Sequence, residues 1–60
     1  MTAQDVIDHL RWSVLFPKEL QAEAKERGEP GIAQIYAREA KHRQDMADVV
    51  ETLARKAGEL

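Results

Sequence analysis

A single turn signal, Arg27 to Gly31 (Arg-Gly-Glu-Pro-Gly), divides the chain into two halves. Helix-forming residues dominate on both sides of it, and no stretch alternates apolar and polar residues as a strand would. Each arm has about 25 residues, or about 38 Å as an α-helix, and the turn between them is too short for anything except an antiparallel return. The sequence therefore predicts an all-α fold, an antiparallel helical hairpin, in a single domain over residues 1–60.

The first arm is predicted to be helical over about residues 3–27, with a break near residues 16–17. Thr2 followed three residues later by Asp5 resembles a capping box, with Asp in place of the usual Glu or Gln, and marks the helix start. Pro17 has no N–H and crowds the carbonyl four residues before it, so a kink is expected there. Alternatively, Pro17 begins a second, nearly collinear helix. In both cases the first arm behaves as one rod.

The second arm is predicted to be one helix from about residue 32 to residue 57, ending at Gly58. On a helical wheel most of its apolar residues share one sector, the face expected to turn towards the interior. The sector consists of Ile32, Ile35, Met46, Val49, Val50, Leu53, Ala54 and Ala57. The corresponding stripe of the first arm consists of Val6, Ile7, Leu10 and Val14.

The small size of the chain predicts self-association. A domain of 60 residues buries so little surface that its hydrophobic gain barely exceeds the conformational entropy lost on folding. The chain has no cysteine, so neither disulfides nor thiolate metal sites can add stability. Two hairpins packed together make a four-helix bundle, and we therefore expect a homodimer.

The charge pattern restricts the class of partner. The net charge is −2, with acidic and basic residues interspersed, so we expect neither nucleic acid nor an anionic membrane surface as a partner. No segment approaches the roughly 20 apolar residues of a membrane-spanning helix, and the N-terminus does not resemble a signal peptide. We expect a cytoplasmic protein that binds another protein.

A polar turn, formed by Glu39, His42 and Arg43, interrupts the apolar sector of the second helix. The structural hypothesis starts from Pro17, which leaves the Ser13 carbonyl without its helical partner. Either His42 or Arg43 would donate a hydrogen bond to that carbonyl, and Glu39 would neutralise Arg43 at a spacing of four residues. Buried polar residues of this kind can also fix the register of a helical dimer.

In the metal hypothesis, Glu39 and His42 are metal ligands. Their Glu-x-x-His spacing puts a carboxylate and an imidazole on one side of a helix, pointing into a bundle. Over this one turn the chain resembles the half-ferritin proteins, which assemble a di-iron bundle from two hairpins. The resemblance implies iron, or zinc, bound by Glu39 and His42 of two chains, with Glu19 or Glu23 as bridging carboxylates and possible ferroxidase activity.

The partner hypothesis concerns the first arm. Its residues around Trp12 and Phe16 lie roughly opposite the stripe that contains Leu10, so this helix is apolar on two sides. One interpretation is that Trp12 and Phe16 pack across the dimer. The other is an exposed surface with the composition of a binding hot spot, made of Arg11, Trp12, Leu15, Phe16 and Lys18.

No feature of the sequence indicates catalysis. Ser13 and the two threonines have no histidine placed to activate them, and there is no glycine-rich phosphate loop. We therefore expect a non-enzymatic protein-binding module without a cofactor, acting as an inhibitor, adaptor or regulator. In size and style it is analogous to phage and mobile-element products that block a host protein. The alternative is the metal-binding half-bundle.

Overall fold

The computed structural model describes all 60 residues and is all-helical, as predicted. Three helices follow one another: α1 (Ala3–Ser13), α2 (Leu15–Glu26) and α3 (Pro30–Lys56). Both α1 and α2 pack against α3, which runs antiparallel to them, so the chain is a hairpin whose first arm contains two helices. None of the three helices combines the length and the apolar character needed to cross a membrane.

The predicted capping box is present at the start of α1. The Thr2 hydroxyl accepts a hydrogen bond from the Asp5 backbone N–H at 3.2 Å. The Asp5 carboxylate accepts one in return from the Thr2 backbone N–H at 3.0 Å. Two of the backbone donors that a helix start leaves unpaired are thereby satisfied.

The break in the first arm lies at Val14, upstream of the position predicted for it near residues 16–17. Pro17 is instead the third residue of α2, and it is buried. Its missing N–H would have bonded to the Ser13 carbonyl, so the helical hydrogen-bond ladder is disturbed one turn before the proline. Val14 keeps right-handed helical dihedral angles and donates its N–H to the Arg11 carbonyl at 3.3 Å.

A Schellman motif forms the turn between the arms. Gly28 has a φ of +73°, which side chains disfavour, and the Glu29 N–H donates to the Ala24 carbonyl at 2.9 Å. The same motif, with φ of +74° at Gly58, ends α3. The last helix starts at Pro30, two residues before the predicted start, because proline at the first helical position loses no hydrogen bond.

The core between the arms is an alanine seam. Along α3 the buried residues recur every seven positions and are all alanine: Ala33, Ala40, Ala47 and Ala54. The first arm contributes Ile7, Val14, Pro17 and Ala24, so only eight of 60 residues are buried. Small side chains let two helix backbones approach closely, but they bury little area per residue.

The apolar sector predicted for α3 faces away from the first arm over most of its length. Within one hairpin only Ala54 of this sector is buried, and Val50 is half-buried. The large members are exposed, with accessible fractions from 43% for Met46 to 63% for Ile35. The arms meet on the alanine seam instead, because α3 is apolar over a wider sector than one neighbouring helix can cover.

The resulting molecule is a thin slab with extents of 46 × 16 × 10 Å. Its accessible surface is 4559 Å². A compact monomer of the same mass exposes about 4,000 Å². The hairpin therefore leaves more surface in water than a globular chain of its size.

Candidate interaction surface

Contacts between the arms define two sides of the slab. On one side, the Arg11 guanidinium of the first arm forms ion pairs with Asp48 and Glu51 of α3. Glu51 also binds Arg55, at 2.8 Å. The side chains of these pairs keep between 30% and 70% of their accessibility, so water screens them and each pair contributes at most about 1 kcal/mol. We call this the charged side.

The opposite side is apolar. Val6 of the first arm and Val50 and Leu53 of α3 line a common groove there. Residues spaced by seven along a helix project in nearly the same direction. Leu20 is two repeats after Val6 and therefore lies on this side of the first arm. On α3, Met46 is one repeat before Leu53 and lies on the same side.

We define the apolar face by six exposed large residues, which are Phe16, Leu20, Ile32, Ile35, Met46 and Leu53; Val49, at the helical position of Ile35, is exposed at its border. Their accessible fractions lie between 41% and 63%. Summed, these six residues expose roughly 600 Å², with the polar side chains of the polar turn among them. Neither arm of the same chain covers this face.

The polar turn lies in the middle of the apolar face. Arg43 Nη1 donates to the Ser13 carbonyl at 2.9 Å, and Arg43 Nε donates to Glu39 Oε1, also at 2.9 Å. This is the arrangement that the structural hypothesis predicts, with Arg43 as the donor. The imidazole of His42 makes no hydrogen bond within the chain.

The polar turn is not buried within one hairpin, although it interrupts the sector of α3 that was expected to face the interior. Glu39 and His42 are exposed, and Arg43 is half-buried. The reason is that the alanine seam, one sector further round α3, makes the contact with the first arm. Burial of the polar turn would therefore require a second chain.

The residues of the metal hypothesis do not form a cluster in one chain. No group of three or more His, Cys, Asp or Glu side chains is close enough to hold a metal ion. The Glu39 carboxylate is occupied by Arg43, and Glu23 lies 3.9 Å from the Arg27 guanidinium. A site with Glu39, His42, Glu19 and Glu23 as ligands would have to be completed by another chain.

The predicted partner surface is divided by the fold. Trp12 and Phe16 pack edge to face with ring centroids 4.9 Å apart, and both are about half exposed. Phe16 belongs to the apolar face. Leu15 and Lys18 line a shallow cleft with Arg11 on the charged side. Trp12 lies between the apolar face and the charged side, on the outer edge of the first arm, which points away from α3.

The seven-residue alanine spacing was the signal in the sequence that could have located the seam. It identifies the inner face of α3 more directly than the large apolar residues do, because a seam repeats every seven residues in packed helices. No local signal indicates that Arg11 reaches Asp48 and Glu51, since the ion pairs join residues far apart in the chain.

Comparison of the chain with known protein families, with curated proteins and with solved structures finds no match. The inference of function therefore starts from the residues of this chain. Its distinguishing features are the uncovered apolar face, the polar turn at its centre and the exposed Trp12 edge.

Proposed function

We propose that the protein is a non-enzymatic interaction module, a hairpin that pairs with a second copy in a four-helix bundle and binds another protein as an inhibitor, adaptor or regulator. One observation carries this proposal. The seam between the arms contains mostly alanine, whereas six large apolar side chains lie uncovered on the apolar face.

The area of the apolar face supports a second copy as its occupant. Its roughly 600 Å², together with the half-buried Val6 and Val50 beside it, approaches the approximately 800 Å² per partner of a standard interface. A hairpin has one layer of contacts, and pairing adds the second layer that a stable domain needs. Covering this face would place most of the large apolar residues of the chain in a core.

The hydroxyl groups support a role without catalysis. The Ser13 hydroxyl donates to the Leu10 carbonyl at 2.7 Å, and the Thr52 hydroxyl donates to the Asp48 carbonyl at 2.9 Å. Thr2 is engaged in the capping box. A nucleophile needs a base within hydrogen-bonding distance, and these three hydroxyls instead bond to backbone groups.

The Trp12 edge is the surface that we propose for another protein. Trp12 is 56% exposed, and it borders the apolar face through its contact with Phe16 while lying on the side of the first arm away from the buried Ile7 and Val14. Leu15 and Lys18 extend this surface around the helix. An exposed tryptophan beside apolar and basic residues has the composition of an interface hot spot.

Sedimentation equilibrium at micromolar concentration tests the pairing. We expect twice the monomer mass for the native chain and a monomer for Ile35→Lys, because a lysine at position 35 would place an unpaired charge in the apolar interface. Gln34→Lys is the matched control, since it introduces the same residue one position away, outside the apolar face, and should remain dimeric. A monomeric native chain, or a dimeric Ile35→Lys variant, would refute the proposal.

A further inference from the structure

We propose that two copies pair through their apolar faces, with α3 of one copy lying over α3 of the other in antiparallel orientation. The two-fold axis of this dimer passes through the polar turn. This inference rests on the proposed dimer and adds its geometry. The occupant of the apolar face is thereby specified as a second copy in one orientation and one register.

The distribution of apolar residues along α3 supports the antiparallel orientation. Measured from the midpoint between His42 and Arg43, Ile32 mirrors Leu53 and Ile35 mirrors Val50, whereas Met46 mirrors Glu39 of the polar turn. An antiparallel partner centred there places Ile32 against Leu53 of the partner subunit. It also places Ile35 against Val50 of the partner subunit. Apolar side chains thus meet apolar side chains at both ends of α3.

The other face-to-face arrangement has its two-fold axis parallel to the helices and brings both turns to the same end. There α3 would lie over the partner's first arm. Beyond Leu20, the next positions on this side of that arm are Glu23 and Arg27, which form an ion pair 3.9 Å long. Ile32 would then cover an ion pair, and the cost of removing charges from water disfavours that arrangement.

The charges of the polar turn favour the same register. Glu39 lies 3.5 residues from the proposed axis, so the two Glu39 carboxylates of an antiparallel pair are about 10 Å apart along the helices. Each Glu39 is offset by about 5 Å along the helix axis from Arg43 of the partner subunit, so the two side chains can form an ion pair. Arg43 is held in place by the Ser13 carbonyl and by Glu39 of its own chain.

A shift of register would remove this match. Moving the partner by one helical turn would place the polar turn against the apolar residues on either side of it, leaving charged groups desolvated without a partner. Polar residues within an apolar seam specify register in coiled coils for the same reason. The polar turn therefore acts as a register device, and the apolar residues on both sides of it supply the attraction.

Distances between spin labels test the orientation. The chain has no cysteine, so Lys41→Cys and Lys56→Cys each provide one labelling site per chain. Both lysines are exposed: Lys41 lies on the charged side, and Lys56 is the last residue of α3, beyond the apolar residues of the face. Sedimentation equilibrium on each labelled variant shows whether the dimer is present.

In the antiparallel dimer, the two labels at position 56 are separated by about 40 Å along the helices and those at position 41 by about 5 Å. With about 20 Å across the bundle, we expect total distances of about 45 Å and about 20 Å, measured by double electron–electron resonance. Equal distances at the two positions in a dimeric protein would overturn the antiparallel geometry and leave the proposed dimer standing. A monomer in sedimentation would overturn both.

Discussion

Replacing Ala47 by leucine tests the alanine seam directly. Ala47 is in the middle of α3 and is completely inaccessible to solvent. Leucine adds three carbon atoms where the two helix backbones approach each other, and overpacking of this kind costs about 1–3 kcal/mol. At about 0.05–0.15 kcal/mol per residue, a chain of this length has about 3–9 kcal/mol of stability in total. The variant should therefore lose a large part of its folding free energy.

Thermal unfolding followed by circular dichroism measures this effect. For a domain of this size, 1 kcal/mol corresponds to about 4–8 °C in Tm, so Ala47→Leu should melt roughly 5–20 °C below the native chain. Both proteins must be compared at one concentration, because the proposed dimer would make Tm depend on concentration. The control is Ala22→Leu, which introduces the same residue at an exposed position of α2 and should stay within about 0.5 kcal/mol of the native chain. A native-like Tm for Ala47→Leu would show that the arms do not meet on this seam.

Three further outcomes follow from the interaction surface. Arg43→Met leaves a carbonyl of the first arm without its donor and should cost about 1–2 kcal/mol in urea unfolding, while Arg38→Met, at an exposed position without an ion pair, should cost little. Trp12→Ala should preserve helicity, Tm and dimer mass but weaken binding of the partner recovered with the native chain by about 2 kcal/mol or more; a lower, concentration-dependent Tm would instead place Trp12 in the dimer core. Iron or zinc at a hundredfold excess should leave Tm unchanged, because Glu39 is engaged by Arg43, whereas a rise in Tm that disappears in His42→Ala would support the metal-binding alternative.

The parts of the fold that depend on local chemistry were predictable from the sequence. The capping box at Thr2 and the left-handed glycines at the ends of the arms are formed by residues within a few positions of one another. The break in the first arm was displaced because proline affects the carbonyl four residues earlier, and the disturbance therefore appears at Val14. The sequence predicts that Pro17 disturbs the helix. The location of the break is found only by following the helical hydrogen bonds back from the proline.

The inner face of α3 was harder to identify, because α3 has two apolar sectors. Large residues such as Ile35 and Met46 dominate a hydrophobic wheel, although they are exposed in the hairpin. Alanine contributes little to such a wheel, yet it decides how closely two helices approach. The number of neighbours that a helix packs against is a property of the whole assembly, and the pattern of one helix does not reveal which sector meets which neighbour.

In the candidate site, too, some contacts were predictable from the sequence and others were not. The donation from Arg43 to the Ser13 carbonyl could be anticipated, because Pro17 creates a specific unpaired acceptor and the hairpin brings the two arms together. The distribution of Trp12, Leu15 and Lys18 over different sides of the first arm could not, since it depends on the rotation of that arm about its axis. This rotation is set by Ile7 and Val14, which are buried against α3.

The seven-residue spacing of the buried alanines restricts how the length of this chain can change. An insertion of one residue in α3 would rotate everything beyond it by about 100° and replace the buried alanines with their neighbours. An insertion of seven residues in α3 preserves the alignment when it is matched by seven residues at the same height in the first arm. One alanine inserted in the middle of α3 should therefore disrupt the seam, whereas paired seven-residue insertions on the two sides of the turn at Gly28 should keep it.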